Sequence, residues 1–342
     1  AEARALPAVL AVTAQSPVRR SAPADAARLA AAFFVVLIHS SGTEGAGILW
    51  NALSRFGVPV FVILSGYFTL DRPRGARELL RRSARLLAIM LCWSVIYYAW
   101  LLASGTREWE GARVMLRYFV TEPVHMWYIY TTVFLYALTP LLGVFCGHAS
   151  RRQYEYALLL CFGLGGVYEL LHAYALSPTL MLIAENAHIL RGAGFLFFFL
   201  LGGYFRRYEL SRRAALALYI LAALGLACTM AGAAATSRGG LDERFLSYTT
   251  PFVMLTAAGF TLFCLRRRLP PSARLSAAAR CTLGVYLLHP MLILIPQHLG
   301  IWEPAVLPLW LAVPLRALGV YAVTLAISLL LSRVPAVGRL VA

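Results

Sequence analysis

The chain has 342 residues, of which 60% are hydrophobic and 13% charged, with a mean hydropathy of +0.71. A soluble globular protein carries about 25% charged and about 45–50% apolar residues, so this chain lacks the polar surface to cover a water-soluble particle. Composition excludes a soluble enzyme, a secreted module and a disordered scaffold, and leaves a polytopic membrane protein. The formal net charge is +16, and all 31 basic residues are Arg. Their placement reports topology, and nucleic acid is not an expected partner. The six Cys (Cys92, Cys146, Cys161, Cys228, Cys264 and Cys281) fall in or beside apolar stretches with no C-x-x-C spacing. That pattern points to buried packing residues rather than disulfides or a thiolate metal site.

A membrane-crossing helix needs about 20 mostly apolar residues. Apolar runs between Arg, Pro and Gly punctuation predict ten: 24–43, 48–70, 84–104, 124–147, 153–174, 189–205, 213–233, 247–265, 281–299 and 308–332. The fifth is the most interrupted, by Gly163, Gly165, Gly166, Glu169 and His172. With the N-terminus inside, the inner loops and tails collect 23 of the 31 Arg, as the positive-inside rule asks. The expected fold is an all-α membrane bundle of about ten spans with both termini cytoplasmic. Residues 1–23 form an N-terminal tail, 24–332 one transmembrane domain and 333–342 a short tail. The apolar patch Leu6 to Ala14 is short and poorly flanked for a signal peptide.

Ionisable groups inside spans are expensive and mark function by default. In the first span Arg28 and His39 lie eleven residues apart, about 20° past three full turns and about 16 Å along a helix. They share one face, and Asp25, one turn before Arg28, lies near the same stripe and is expected to pair with it. In the second span Arg55 is internal, Pro59 breaks the backbone ladder, and Ser65-Gly66-Tyr67 stands near the inner end. These residues either line a cavity or let helices pack closely. Arg81, Arg82 and Arg85 have i,i+3 and i,i+4 spacing and can converge on one phosphate; equally, they can meet lipid headgroups. His125, Trp127, Tyr128 and Tyr130 open the fourth span as an aromatic belt or a substrate site. Glu169/His172 and Tyr286/His289 are i,i+3 pairs, the second followed by Pro290, which ends or kinks its helix. Glu185, His188 and Arg191 lie in an outer loop.

These residues together resemble the acyltransferase 3 family of bacterial integral-membrane acyltransferases. Asp25-x-x-Arg28 with His39 resembles the family's opening helix, and VPVFVILSGYF (Val58 to Phe68) its second. Arg81, Arg82 and Arg85 resemble its Arg-Arg-x-x-Arg cluster, HMWYIYTTVFLYALTP its Trp-rich fourth helix, and GVYLLHP (Gly284 to Pro290) its late Tyr-Leu-x-His-Pro helix. The likeness runs through the whole chain in order and is nearest the sugar O-acetyltransferase branch. No appended domain is expected after the tenth span to deliver an acceptor.

The resemblance implies an enzyme of the bacterial inner membrane. It would move an acetyl group from cytoplasmic acetyl-CoA to a hydroxyl of a glycan or lipid-linked sugar, without a metal and among membrane lipids, with self-association open. It implies that His39 is the general base and that Arg28, Arg81, Arg82 and Arg85 hold the phosphates of the donor. Ser65 and Tyr67 are candidates for the oxyanion. Asp25, Arg55, Trp127, Tyr130, Glu169, Tyr286 and His289 are candidate substrate contacts. Direct transfer and an acetyl-His intermediate both stay open, as does acetyl against a longer acyl group. The alternative is a glycan or amphiphile carrier, although the sequence shows no inverted repeat of the kind carriers use.

Overall fold

The computed structural model describes residues 21–121, 125–174, 177–180, 182, 192–238, 240–298 and 307–341. Among these residues the fold is helical, with no strand. Helix α1 (Ala22–Ser40) starts where the Ser21 hydroxyl accepts from the Ala24 amide, with a Pro and Asp25 in its first turn, both favoured at a helix N-terminus. Helices α2 (Ala46–Ser54) and α3 (Gly57–Thr69) form one interrupted crossing. The interruption falls at Arg55 and Phe56 rather than at Pro59. Pro59 sits in the first turn of α3, where no intrahelical hydrogen bond is lost. Then follow α4 (Ala76–Ala103), α5 (Ala112–Thr121), α6 (Trp127–His148) and α7 (Arg151–Tyr174), with α8 (Gly192–Arg207), α9 (Arg212–Thr236) and α10 (Pro251–Leu265) after them. The last are α11 (Ala273–Arg280), α12 (Thr282–His298), α13 (Leu309–Leu331) and α14 (Pro335–Val341).

Seven stretches are long and apolar enough to cross a membrane, or eight when α11 and α12 count as one bent span. The other two predicted spans form α8 and α10, of 16 and 15 residues. Both are packed inside the bundle through side chains such as Phe198, Phe199, Met254 and Ala257. The sixth and eighth predicted spans are therefore helices, but shorter than a crossing asks. The α7 helix runs unbroken through its glycines, because Gly165 lies at a close crossing with Gly194 of α8. Glu185, His188, Arg191, the side chain of His172 and the patch Leu6 to Ala14 lie outside the described residues.

The α2–α3 crossing is 78% buried within the protein whereas α9 is 22% buried, which separates centre from rim. Helices α1, α3, α8 and α10 supply the main apolar core, including Ala27, Val60, Ile63, Phe198 and Met254. Helices α4, α6, α9 and α13 turn large apolar side chains outward, among them Val95, Leu141, Ile220 and Leu315. That is the arrangement for a lipid-facing rim. Two of the six cysteines, Cys92 and Cys228, are exposed rather than buried. They stand on α4 and α9, two of the outward-facing helices, and all six are free thiols.

Candidate active site

Helix α1 carries Ser21, Asp25, Arg28, Val35 and His39 along one face that lines two cavities. From Ala31 to Ser40 the helix is buried or half-buried except at His39, which is exposed. Its exposure is to the central cavity of about 630 Å³ that it lines. The turn bearing it is held from behind by Arg316 of α13, whose guanidinium donates to the Ser40 carbonyl. A helix leaves its last carbonyls unpaired, and a cation at that end is favourable.

Two further imidazoles gather on His39. The ring of His289 (α12) is 4.9 Å from that of His39, and His125, just ahead of α6, is 5.1 Å from His289 and 6.3 Å from His39. Pro290 explains how His125 is held. Proline has no N–H, so the carbonyl four residues earlier loses its helical donor. That carbonyl belongs to Tyr286, and His125 Nε2 lies 2.8 Å from it. The Tyr286 hydroxyl in turn donates to the His125 carbonyl at 2.7 Å. Helix α12 therefore continues through Pro290 instead of ending or kinking there; the 53° bend lies between α11 and α12. Among the described residues no group of three or more His, Cys, Asp or Glu is arranged to hold a metal ion.

Three cavities lie in series. A mouth cavity of about 420 Å³ at the Arg-rich end is lined by Asp25, Arg28, Ser65, Arg74, Arg82 and Arg280, among others. It shares Arg28, Phe61, Tyr128, Arg280 and Leu283 with the central cavity. The central cavity shares Trp127 and Tyr248 with a third cavity of about 630 Å³ at the opposite end. These two rings stack at 5.4 Å and 29° and form the common wall. The path traced by the lining residues runs from a basic mouth past His39 to an aromatic partition.

The predicted arginine cluster separates. Arg82 lines the mouth, paired with Glu78 at 2.8 Å. Arg85 turns to the carbonyl of Arg339 in α14 at 3.2 Å, and Arg81 is exposed outside the lining. The three do not converge, because their helical spacing fans Arg81 and Arg85 away from the face that carries Arg82. Arg280 takes the central place instead: the α11–α12 bend turns it into the wall shared by mouth and central cavity. Arg28 shares that wall, with its guanidinium 5.4 Å from the Phe68 ring centre. Asp25 does not pair with Arg28. It is buried and accepts from Ser276 of α11 at 2.6 Å, which fastens α11 to α1.

Ser65 lines the mouth, whereas Tyr67 turns away to Arg206, which donates to its hydroxyl at 3.2 Å. Neither reaches the central wall with His39. Hydroxyls on that wall belong to Tyr128, Tyr248, Thr282 and Tyr286, and those of Thr282 and Tyr286 already donate to carbonyls. Arg55 lines the third cavity, donating to Asn51 at 2.7 Å and standing 5.5 Å from the Tyr248 ring centre. Glu169, buried in the same cavity, accepts from Thr249 at 2.8 Å. Asp242 is there too, and hydrogen bonds from Arg244 hold its carboxyl below the usual carboxylate range. Tyr130 lies outside all three cavities and donates to the Val120 carbonyl at 2.7 Å, joining α6 to α5.

Nothing in the sequence singles out Arg280, Tyr248 or Arg316 from other residues of their type. Only the Pro290 spacing could have pointed to a donor such as His125, since a freed carbonyl needs one. The family model described as an acyltransferase domain matches residues 24–333. No curated protein and no solved structure matches the chain. With a match over nearly its whole length and apolar helices suited to repeated crossing, the chain belongs to the acyltransferase 3 family and is a multi-pass membrane acyltransferase.

Proposed function

We propose that the protein moves an acetyl group from acetyl-CoA to a hydroxyl of a glycan or lipid-linked sugar, with His39 as general base. The supporting observation is that His39, the one exposed residue between Ala31 and Ser40, lines a cavity whose wall is shared with a basic mouth on one side and an aromatic-walled cleft on the other. We place the Arg-rich end in the cytoplasm of a bacterial inner membrane by the positive-inside rule, with ten crossings and both termini inside. Arg28, Arg280 and Arg82 then hold the phosphates of the donor at the mouth. The acceptor comes from the other compartment to Trp127, Tyr248, Arg55 and Glu169.

In the reaction His39 takes the proton of the acceptor hydroxyl as that oxygen bonds to the thioester carbonyl carbon. The carbon–sulfur bond breaks, and the proton passes from His39 to the departing thiolate. Tyr128, on the wall common to mouth and centre, is the donor placed for the transient oxyanion. Membranes containing the protein, given radiolabelled acetyl-CoA, should gain ester-linked label in their glycans. The His39→Ala protein should insert normally and transfer none. Full transfer by His39→Ala overturns the reading.

A further inference from the structure

Beside His39 stand two buried ring nitrogens with no partner, Nε2 of His289 and Nδ1 of His125. An unsatisfied buried polar atom is uncommon and asks for a reason. The other nitrogen of each ring fixes its tautomer. His289 Nδ1 lies 3.1 Å from the Val285 carbonyl and His125 Nε2 lies 2.8 Å from the Tyr286 carbonyl. A carbonyl only accepts, so both of those nitrogens carry the hydrogen. The unpartnered nitrogens are therefore lone pairs, two acceptors without a donor. They cannot bond to each other.

The one imidazole of the trio with an unassigned hydrogen is His39. Of the two lone pairs, that of His289 belongs to the nearer ring, at 4.9 Å against 6.3 Å. His289 is fully buried and lies behind the central cavity, outside its lining. We propose that His289 is a positioning residue: its Nε2, unpartnered here, accepts the ring N–H of His39 when the exposed His39 ring turns to it, and so leaves the other His39 nitrogen as a lone pair turned to the cavity. The inference rests on the reading of His39 as the base and extends it. In serine hydrolases a carboxylate performs this office for the catalytic His. Here a neutral imidazole does so, which avoids burying an anion in the apolar interior.

The direct test needs no substitution in the base pair. In the full-length protein in nanodiscs with ¹⁵N-labelled histidine, nitrogen–nitrogen coupling across an N–H···N hydrogen bond should join His39 and His289. Its absence overturns the proposal. Kinetics supply a second test, using ester-linked label from acetyl-CoA in membranes. His289→Leu should lower kcat at least about 10–100-fold, the usual loss when the partner orienting a ligating His goes, with the donor KM within about twofold of wild type. The acid limb of its kcat/KM profile should move to lower pH, because the imidazolium of His39 loses an acceptor. Other titratable or charged groups around His39, namely Arg28, His125, Tyr128, Tyr248, Arg280 and Tyr286 on the central wall and Arg55 beyond it, are the same in both proteins. His289→Gln, whose side-chain oxygen can accept, should recover most of the rate. Wild-type kcat and an unmoved profile in His289→Leu overturn the proposal. If His39→Ala is inactive while His289→Leu is normal, the positioning role alone fails; if His39→Ala is active, the reading of the base fails with it.

Discussion

Of the four arginines that line the mouth, Arg74 and Arg82 are paired with carboxylates, whereas Arg28 and Arg280 make no ion pair among the described residues. Arg74 is buried and spent on structure: it pairs with Asp71 and Glu78 and donates to the Phe68 and Thr69 carbonyls that end α3. Arg82 shares Glu78, and Arg85 reaches the last helix. A charge-assisted bond from an Arg to a phosphate is about twice as strong as a neutral one, and a charged hydrogen bond contributes about 1.5–3 kcal/mol. Arg280→Ala and Arg28→Ala should each raise the donor KM at least tenfold with a smaller change in kcat, whereas Arg81→Ala should leave it unchanged. Steady-state kinetics with acetyl-CoA varied checks this, and equal KM values for all three would assign the binding charge elsewhere. Helical arithmetic was enough to put Arg28 and His39 on one face, because α1 is regular throughout. It was silent on which side chain meets Asp25, since Ser276 is 251 residues away and no local spacing encodes that contact.

At the level of elements, the crossing of α3 and α8 is the tightest contact that shapes the site. A Cβ on Gly66 would collide with the Phe199 carbonyl oxygen, and one on Gly202 with the Ile63 carbonyl oxygen. Backbone cannot yield as a side-chain tip can, so overpacking here costs about 1–3 kcal/mol or more. Gly202→Ala should therefore lower the thermal midpoint of the detergent-solubilised protein and reduce its yield, while Gly143→Ala, where an added Cβ meets nothing, should do neither. The sequence left Ser65-Gly66 between cavity lining and close packing, and adjacent residues do one each. Pro290 illustrates the opposite limit. Its effect on the ladder was legible, but whether the freed carbonyl bends the helix or recruits a donor depends on His125, which another element supplies. Pro290→Ala restores an amide for the Tyr286 carbonyl and should displace His125. The expected outcome is a fall in transfer with little change in the thermal midpoint.

For the molecule as a whole, hydropathy showed a helical membrane bundle because spans must satisfy their own backbone groups. It could not distinguish α8 and α10, short and wrapped by protein, from full-length spans of the same apolar character. Nor could it show that the polar insertions of α1, α6, α11 and α12 meet around one cavity. That convergence sets a physical requirement. A thioester beside a base also reacts with water, so an acyltransferase must keep its centre dry until an acceptor occupies it. The central cavity meets the third cavity at Trp127 and Tyr248, stacked against each other, with Arg55 lying over the Tyr248 ring. Removing one ring of that wall should open the centre to water from the third cavity while leaving the arginine mouth intact. Trp127→Ala should accordingly release more free acetate per ester formed, with the donor KM within about twofold of wild type. Trp127→Phe, which keeps an aromatic face, should behave nearly as wild type. Counting free and ester-linked label from the same reaction measures the partition, and an unchanged ratio in Trp127→Ala would mean that the stacked pair does not separate the reacting carbon from water.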